Sequence, residues 1–99
     1  MKKDLYIIQS SKNGAFKVGI SKEPNKRLRQ LQTGSPYRLK MILILKEKSY
    51  LEKTLHETLR SFRLGNFKGE WFSYEAFPSL PDWIYSMLDL EDIDCWWKK

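Results

Sequence analysis

The sequence is poor in the residues that build disulfide-bonded or zinc-bound folds. Its 99 residues contain one cysteine, Cys95, and one histidine, His56. A single cysteine cannot form an internal disulfide, and one cysteine with one histidine cannot supply the ligands of a structural zinc site. These shortages exclude the small disulfide-rich scaffolds and the zinc-ribbon domains, and they favour the cytoplasm as the compartment.

Long apolar runs are also missing. The apolar run at residues 41–45 has the length of a strand, far below the roughly 20 residues that span a bilayer. The first eight residues include Lys2 and Lys3 but no apolar core of a leader and no small-residue cleavage site, so we expect neither a signal peptide nor membrane association. A hydrophobic content of 41% predicts an ordinary folded domain.

Acidic residues are scarce in the first three quarters of the chain. Residues 1–74 carry a net charge of +10, whereas residues 75–99 carry −4. A basic body predicts a polyanionic partner, and nucleic acid is the first candidate. The acidic tail, with the run DLEDID at residues 89–94, has two interpretations. It either solubilises an amphipathic segment, or it folds back on the basic surface and competes with the partner.

The first structural signal is a β-hairpin at residues 5–20. Two apolar runs flank Asn13-Gly14, the strongest short turn signal. A two-residue loop at this point pairs Tyr6 with Ser21. Because side chains alternate along a strand, four residues are then expected on one face of the sheet: Tyr6, Lys17, Gly19 and Ser21.

Helical signals follow the hairpin. A helix is predicted from Pro24 to about Gln32, since proline suits the first helical position and Gly34 suits the stop. Its buried stripe is Leu28 and Leu31. Residues 39–45 predict a third strand that is central or covered by helices, because it is apolar on both faces.

Three further segments complete the predicted architecture. A second helix is expected from Ser49 to about Arg63, a short aromatic strand or packing segment at residues 71–72, and a third helix capped by Ser79. The order β-β-α-β-α-(β)-α predicts a small α+β domain with a central three-stranded antiparallel sheet flanked by helices. Residues 1–74 form its body, and residues 75–99 form a C-terminal helix and tail packed on the same domain.

Several residues in this arrangement could carry phosphodiester hydrolysis, which needs a cation for the phosphate, a group that activates water and a clamp for the developing charge. Each also has a structural interpretation as a surface or core residue. For Glu52 that alternative is specific, because residues 49–52 read as a capping box in which Glu52 bonds the Ser49 backbone. The few scattered carboxylates favour a site with one metal over a site with two. The candidate catalytic residues are Tyr6, Lys17, Arg27, Glu52 and His56.

Five sequence blocks then stand in a fixed order. They are LYII at residues 5–8, KVGIS at 17–21, KRLRQLQTGSP at 26–36, LEKTLHETL at 51–59 and GEWF at 69–72. This series resembles the GIY-YIG nuclease superfamily, in particular its phage-type DNA-binding or meiotically up-regulated branch, over about residues 5–74.

The resemblance implies roles for particular residues. The first-motif tyrosine falls on Tyr6, the second-motif glycine on Gly19, the catalytic arginine on Arg27 and the metal-binding glutamate on Glu52. It implies a DNA endonuclease, perhaps a nicking enzyme, in which Glu52 binds one Mg²⁺ (or Mn²⁺), Tyr6 positions or deprotonates water, and Arg27 stabilises the developing charge. The cations implied to contact the DNA backbone are Lys22, Lys26, Arg29, Arg38 and Lys40.

The sequence departs from the superfamily at two places. Lys17 replaces the second tyrosine, where its charge is expected to lower the pKa of Tyr6. The glycine of the first motif is absent, and Asp4 and Leu5 precede Tyr6 instead. The alternative function is therefore a catalytically inactive protein with the same fold that binds DNA or another protein as a regulator.

The remaining expectations concern aromatic residues. Trp71 and Phe72 are expected to close the core, and Glu70 is a candidate second acid at the site. Trp96-Trp97 has two interpretations. The pair is either exposed, which would suit a homodimer, a protein partner or base stacking, or packed back against the third helix.

Overall fold

The computed structural model describes residues 2–65 and 71–98. It is an α+β domain built on an antiparallel sheet in which the strand order is β3-β1-β2-β4. The strands are β1 (Asp4–Ser10), β2 (Phe16–Ser21), β3 (Leu39–Leu45) and β4 (Trp71–Phe72). The helices are α1 (Pro24–Thr33), α2 (Glu52–Thr58), α3 (Asp82–Tyr85) and α4 (Leu90–Cys95). Short 3₁₀ segments lie at Ser49–Leu51, Arg60–Phe62, Tyr74–Ser79 and Trp96–Lys98.

The α+β class and the antiparallel sheet are confirmed, but the sheet has four strands and not three. The two residues of β4 pair with Phe16 and Lys17 of β2. The strand β3 is an edge strand that pairs with β1, so of its two predicted placements, central or covered by helices, the central one is wrong. Its apolar residues are covered from both sides, with Leu43 in the main core and Met41 against the second cluster.

The hairpin turn forms at the predicted residues, but the strand register differs. Asn13 and Gly14 have positive φ angles of 56° and 71°, and the Ala15 N–H donates to the Lys12 carbonyl at 3.2 Å, as in the primed turns that suit Asn-Gly. Tyr6 pairs with Gly19 and not with Ser21. The observed register differs from the predicted one by two residues, and a shift by an even number keeps each side chain on the same face of the sheet. The predicted shared face of Tyr6, Lys17, Gly19 and Ser21 is therefore confirmed.

Two apolar clusters lie on opposite faces of the sheet. The main core joins the sheet to Leu55 and Leu59 of the α2 region and to the C-terminal segment, where Phe77 stacks on Phe16 with ring centroids 4.0 Å apart. The second cluster contains Tyr6, Ile8, Ala15 and Trp71, and Leu28 and Leu31 of α1 pack against it. The predicted burial of Trp71 and Phe72 is confirmed, whereas Gly69 and Glu70 lie outside the described residues.

The two later helices are shorter than predicted. The region from Ser49 is helical but divided, since α2 ends at Thr58 and a 3₁₀ turn follows. The expected third helix is also divided, and Pro81, not Ser79, precedes its first helical residue. Prolines at 78 and 81 lack the N–H that a continuous helix needs. Asp89 caps α4 by accepting the Asp92 N–H at 3.2 Å.

The C-terminal tail packs on the hairpin. The fully buried Gln9 side chain donates from Nε2 to the carbonyls of Gly14 at 3.1 Å and Ile93 at 2.9 Å, and its Oε1 accepts from Trp96 Nε1. The Trp97 ring lies against Gly14. These contacts leave Trp96 and Trp97 half-buried. Within residues 2–65 and 71–98, none of the helices has the length and apolar character that crossing a membrane requires.

Candidate functional site

Tyr6 lies at the centre of the candidate site. Its side chain is 2% exposed, and its strand partner is Gly19. A Cβ atom added to Gly19 would lie 2.4 Å from both Cζ and Oη of Tyr6, so the phenol ring rests on the glycine backbone. Only a residue without a side chain allows this contact, which explains why a glycine stands opposite Tyr6.

Arg27 and Glu52 both reach the Tyr6 phenol. Burial raises the pKa of Tyr6 above its ordinary value near 10; the Arg27 guanidinium near the phenol opposes this shift, and the negative charge of Glu52 adds to it. Such effects need charges a few ångströms away. Three predicted site residues, which come from β1, α1 and α2, therefore lie in one neighbourhood.

Arg27 is placed by the first turn of α1. Pro24 begins this helix, and the Arg27 N–H makes its first backbone bond, to the Glu23 carbonyl at 3.0 Å. While Leu28 packs on the sheet, the Arg27 side chain remains exposed, and its Nη1 donates to Gln30 Oε1 at 3.4 Å. The guanidinium is thus both close to Tyr6 and accessible to a ligand.

The capping-box interpretation of Glu52 is wrong. The Ser49 N–H donates to the Lys3 carbonyl at 3.2 Å, so Glu52 does not cap it, and no side-chain cap bond forms at the start of either helical segment. Glu52 is half-buried in the first turn of α2. The role of Glu52 in the site stays a prediction.

Asp4 anchors the turn that leads to Glu52. Its carboxylate accepts the Glu47 N–H at 2.9 Å and the Lys46 ammonium at 3.3 Å. The Glu47 backbone bond, followed by the Lys46 contact, holds the pKa of Asp4 below its ordinary value although burial opposes this. Because Asp4 is two residues before Tyr6, these bonds tie the start of α2 to the strand that carries the phenol.

Lys17 shares the Tyr6 face but does not act on it as predicted. It lies opposite Ile8 on β1 and Trp71 on β4, and it is half-buried. The positive charge that lowers the pKa of Tyr6 is that of Arg27. The expectation that Lys17 supplies this effect is therefore wrong, although its place on the site face stands.

His56 holds α2 against the sheet. Its Nε2 contacts the Val18 carbonyl at 2.8 Å, and because a carbonyl only accepts, this nitrogen carries the proton. The ring also packs edge-on against Phe72, with centroids 5.4 Å apart. These contacts join α2 to Val18 of β2 and to Phe72, the last residue of β4. A catalytic role for His56 stays a prediction.

The donor set suits a single metal ion. Among residues 2–65 and 71–98, no three histidine, cysteine, aspartate or glutamate side chains group as a ready-made metal cluster. Magnesium is commonly held by one or two carboxylates, with substrate phosphates and water completing its shell. Glu52, half-buried and beside Tyr6, fits that mode of binding.

The predicted DNA-contacting cations form two groups. Lys22, Lys26 and Arg29 are exposed on and before α1, and Lys26 pairs with Glu23 at 3.9 Å. Lys22 and Lys26 line a depression of about 180 Å³ together with Arg27, which places them beside the site.

The second group lies at the start of β3 and is engaged by the tail. The Lys40 ammonium pairs with Asp92 of α4, and Arg38 lies 5.5 Å from the centre of the Trp96 ring. One acidic residue of the tail therefore folds onto the basic body, as the second interpretation of the tail expected. Arg38 and Lys40 contact DNA only if these contacts rearrange or if DNA uses their outer surfaces.

Sequence reasoning missed Gln30. This residue bonds Arg27 and also lines the depression that contains Lys22 and Lys26. Its spacing of three residues from Arg27 on a helix was the available signal, since residues at i and i+3 are neighbours.

The shifted pKa of Tyr6 predicts a stability effect in alkali. Above pH 10 the unfolded tyrosine ionises while the buried native phenol keeps its proton, so this group lowers the free energy of unfolding as the pH rises. The free energy of unfolding of the wild type, minus that of Tyr6→Phe, should therefore decrease from pH 8 to pH 10.5. Urea unfolding measures it, with the exposed Tyr50→Phe as control; equal behaviour of the two variants would contradict the prediction.

Comparison with known proteins gives one match. The model of the T5orf172 domain matches residues 4–96. No match was found among the curated proteins or among the solved structures. The resemblance to the GIY-YIG superfamily stays a prediction.

Proposed function

Because the chain belongs to the T5orf172 domain family, a phage-type domain often linked to nucleases or DNA binding, we propose that it is a metal-dependent DNA endonuclease of the GIY-YIG type. The observation that carries the proposal is the convergence of Arg27 and Glu52 on the Tyr6 phenol. The net charge of +10 on residues 1–74 supports DNA as the substrate.

Each residue has a role in this mechanism that follows from its surroundings. Tyr6 has a raised pKa, so its phenol is neutral at pH 7 and orients the attacking water by hydrogen bonding. The exposed guanidinium of Arg27 meets the scissile phosphate and stabilises the negative charge that grows on its oxygens. A Mg²⁺ or Mn²⁺ ion held by Glu52 would neutralise the phosphate and the leaving oxygen. Lys22 and Lys26 hold the neighbouring backbone.

Nicking of supercoiled plasmid at low salt tests the proposal. We expect Mg²⁺-dependent nicking that EDTA stops and that Glu52→Ala or Arg27→Ala lowers by about 100-fold or more, the loss typical of removing one group that stabilises the transition state. The controls are Glu57→Ala on the same helix and Arg60→Ala just after it, both exposed and both expected to keep full activity.

A folded wild type that binds plasmid but never nicks it, with Mg²⁺ or Mn²⁺, would overturn the nuclease. The second candidate, a catalytically inactive DNA-binding regulator, would then stand. The replacement of the second-motif tyrosine by Lys17 favours that candidate. A binder of this kind should lose affinity for DNA as the salt concentration rises. Arg27→Ala should weaken its DNA binding, whereas Glu52→Ala should leave the binding unchanged.

A further inference from the structure

A groove of about 430 Å³ lies next to the candidate site. Its apolar lining comes from the second half of α1, the loop after it, the start of β3 and the strand β4. Gln30 lines both this groove and the depression beside Arg27, so the two are adjacent. The apolar lining residues are Leu31, Pro36, Tyr37, Leu39 and Trp71.

The groove combines an accessible aromatic ring with a cation. Tyr37 is 39% exposed, whereas Trp71 lies at 8% exposure and belongs to the same apolar cluster as Tyr6. The Lys12 ammonium lies 5.2 Å from the centre of the Tyr37 ring. A flat apolar group that carries negative charge at its edge is complementary to this surface.

The loop that holds Tyr37 is fixed by its own hydrogen bonds. Gln32 donates to the Tyr37 carbonyl at 2.9 Å and accepts the Leu39 N–H at 2.7 Å, so it joins the end of α1 to the start of β3. The Ser35 hydroxyl accepts the Tyr37 N–H at 3.1 Å and donates to its carbonyl at 3.0 Å. A loop held in place before binding loses little backbone freedom when a partner stacks on its ring.

We propose that this groove receives one unstacked nucleobase of the DNA strand whose phosphate lies at Arg27. The base stacks on Tyr37, and the Lys12 ammonium moves from the ring to the adjoining phosphate. The inference rests on the proposed function and narrows its substrate class to DNA with an unpaired base beside the break, such as a flap, a bulge or a single-stranded end.

The groove selects an aromatic ring and not a particular base. The Ser35 hydroxyl is used within its own loop, and the Ser10 hydroxyl accepts the Lys12 N–H at 3.0 Å. Gln30 Oε1 is shared with Arg27. With these polar atoms engaged, stacking dominates over hydrogen-bond readout, and the four bases should bind with similar affinity.

The test compares a short duplex that carries one bulged adenosine with the same duplex carrying a bulged abasic site. Binding is measured by fluorescence anisotropy in a Glu52→Ala background with EDTA, so no cleavage is needed. We expect the duplex with the bulged adenosine to bind about 10-fold tighter than the duplex with the abasic site. Stacking of the base on one aromatic ring can supply this advantage.

Three tyrosine variants assign that advantage to the groove. Tyr37→Ala should remove it, and Tyr37→Phe should keep it, because phenylalanine retains the stacking face. Tyr50→Ala is the matched control, since Tyr50 is 68% exposed and also has a lysine, Lys48, 5.7 Å from its ring centre, but lies outside the groove. Circular dichroism checks that each variant is folded.

The outcomes separate this inference from the nuclease proposal. A base advantage that Tyr37→Ala removes supports the groove even where wild type cleaves no DNA. Equal binding of the base and the abasic site by the protein with Tyr37 intact would overturn it even where plasmid nicking is strong. An advantage that survives Tyr37→Ala would also overturn it, because the base would then bind elsewhere.

Discussion

Gly19→Ala is expected to lower DNA nicking by about 100-fold, the loss that a displacement of roughly 1 Å of a reacting group can cause. The new Cβ would lie 2.4 Å from the Tyr6 ring, and its neighbours are the rigid phenol atoms Cζ and Oη and not a flexible chain end. Tyr6 must move, and its contacts with Arg27 and Glu52 move with it. Plasmid nicking with Mg²⁺ measures the loss.

The same substitution should destabilise the fold by about 1–3 kcal/mol, as overpacking of a buried site does. Gly65→Ala is the control, since a Cβ there meets nothing within 4 Å. The double variant Gly19→Ala/Tyr6→Leu tests the cause, because removing the ring should relieve most of the cost. If Gly19→Ala costs as much stability in the Tyr6→Leu background as in the wild-type background, the clash is not the reason.

Gln9→Glu is expected to lower the free energy of unfolding by about 3–5 kcal/mol at pH 7, the cost typical of an uncompensated buried charge. The substitution keeps the shape of the side chain but replaces its two N–H donors by an acceptor. That acceptor would face the carbonyls of Gly14 and Ile93. Urea unfolding measures the change, with the exposed Gln30→Glu as control, expected within about 0.5 kcal/mol of wild type.

The pH dependence identifies the cause. Burial raises the pKa of the new carboxyl in the folded protein, so the penalty is absent below the unfolded value of about 4.3 and grows as the pH rises through neutrality. Gln9→Glu should therefore be closer to wild type at pH 4.5 than at pH 7. A penalty that is equal at both pH values would contradict this account.

Local signals in the sequence predicted the elements and most of the candidate site. The Asn13-Gly14 turn, the bounds of α1 and the face shared by Tyr6 and Gly19 all depend on residues close together in the chain. Tyr6, Arg27 and Glu52 were predicted as candidate catalytic residues from their types and positions as well as from the resemblance, and in the structure the charges of Arg27 and Glu52 act on Tyr6.

The errors arose where a distant contact decides the local structure. The hairpin register shifts because Ser11 does not continue the ladder with β2: its N–H donates to the Arg38 carbonyl at 2.8 Å, and its hydroxyl accepts the Arg38 N–H at 3.1 Å. Similarly, the Ser49 N–H is bonded to Lys3, which removes the capping box. Neither partner is visible to a pattern confined to neighbouring residues.

The bonds of Gln9 have a consequence for how the chain acquires its structure. Two of them join positions that are 84 and 87 residues apart. Ile93 and Trp96 therefore complete the burial of β1, which is synthesised much earlier than they are. The residues from Tyr6 to Glu52 leave the ribosome well before Ile93 and Trp96 do. During synthesis the site residues are therefore available first, and the strand that carries Gln9 is fully buried only after Ile93 and Trp96 have been made.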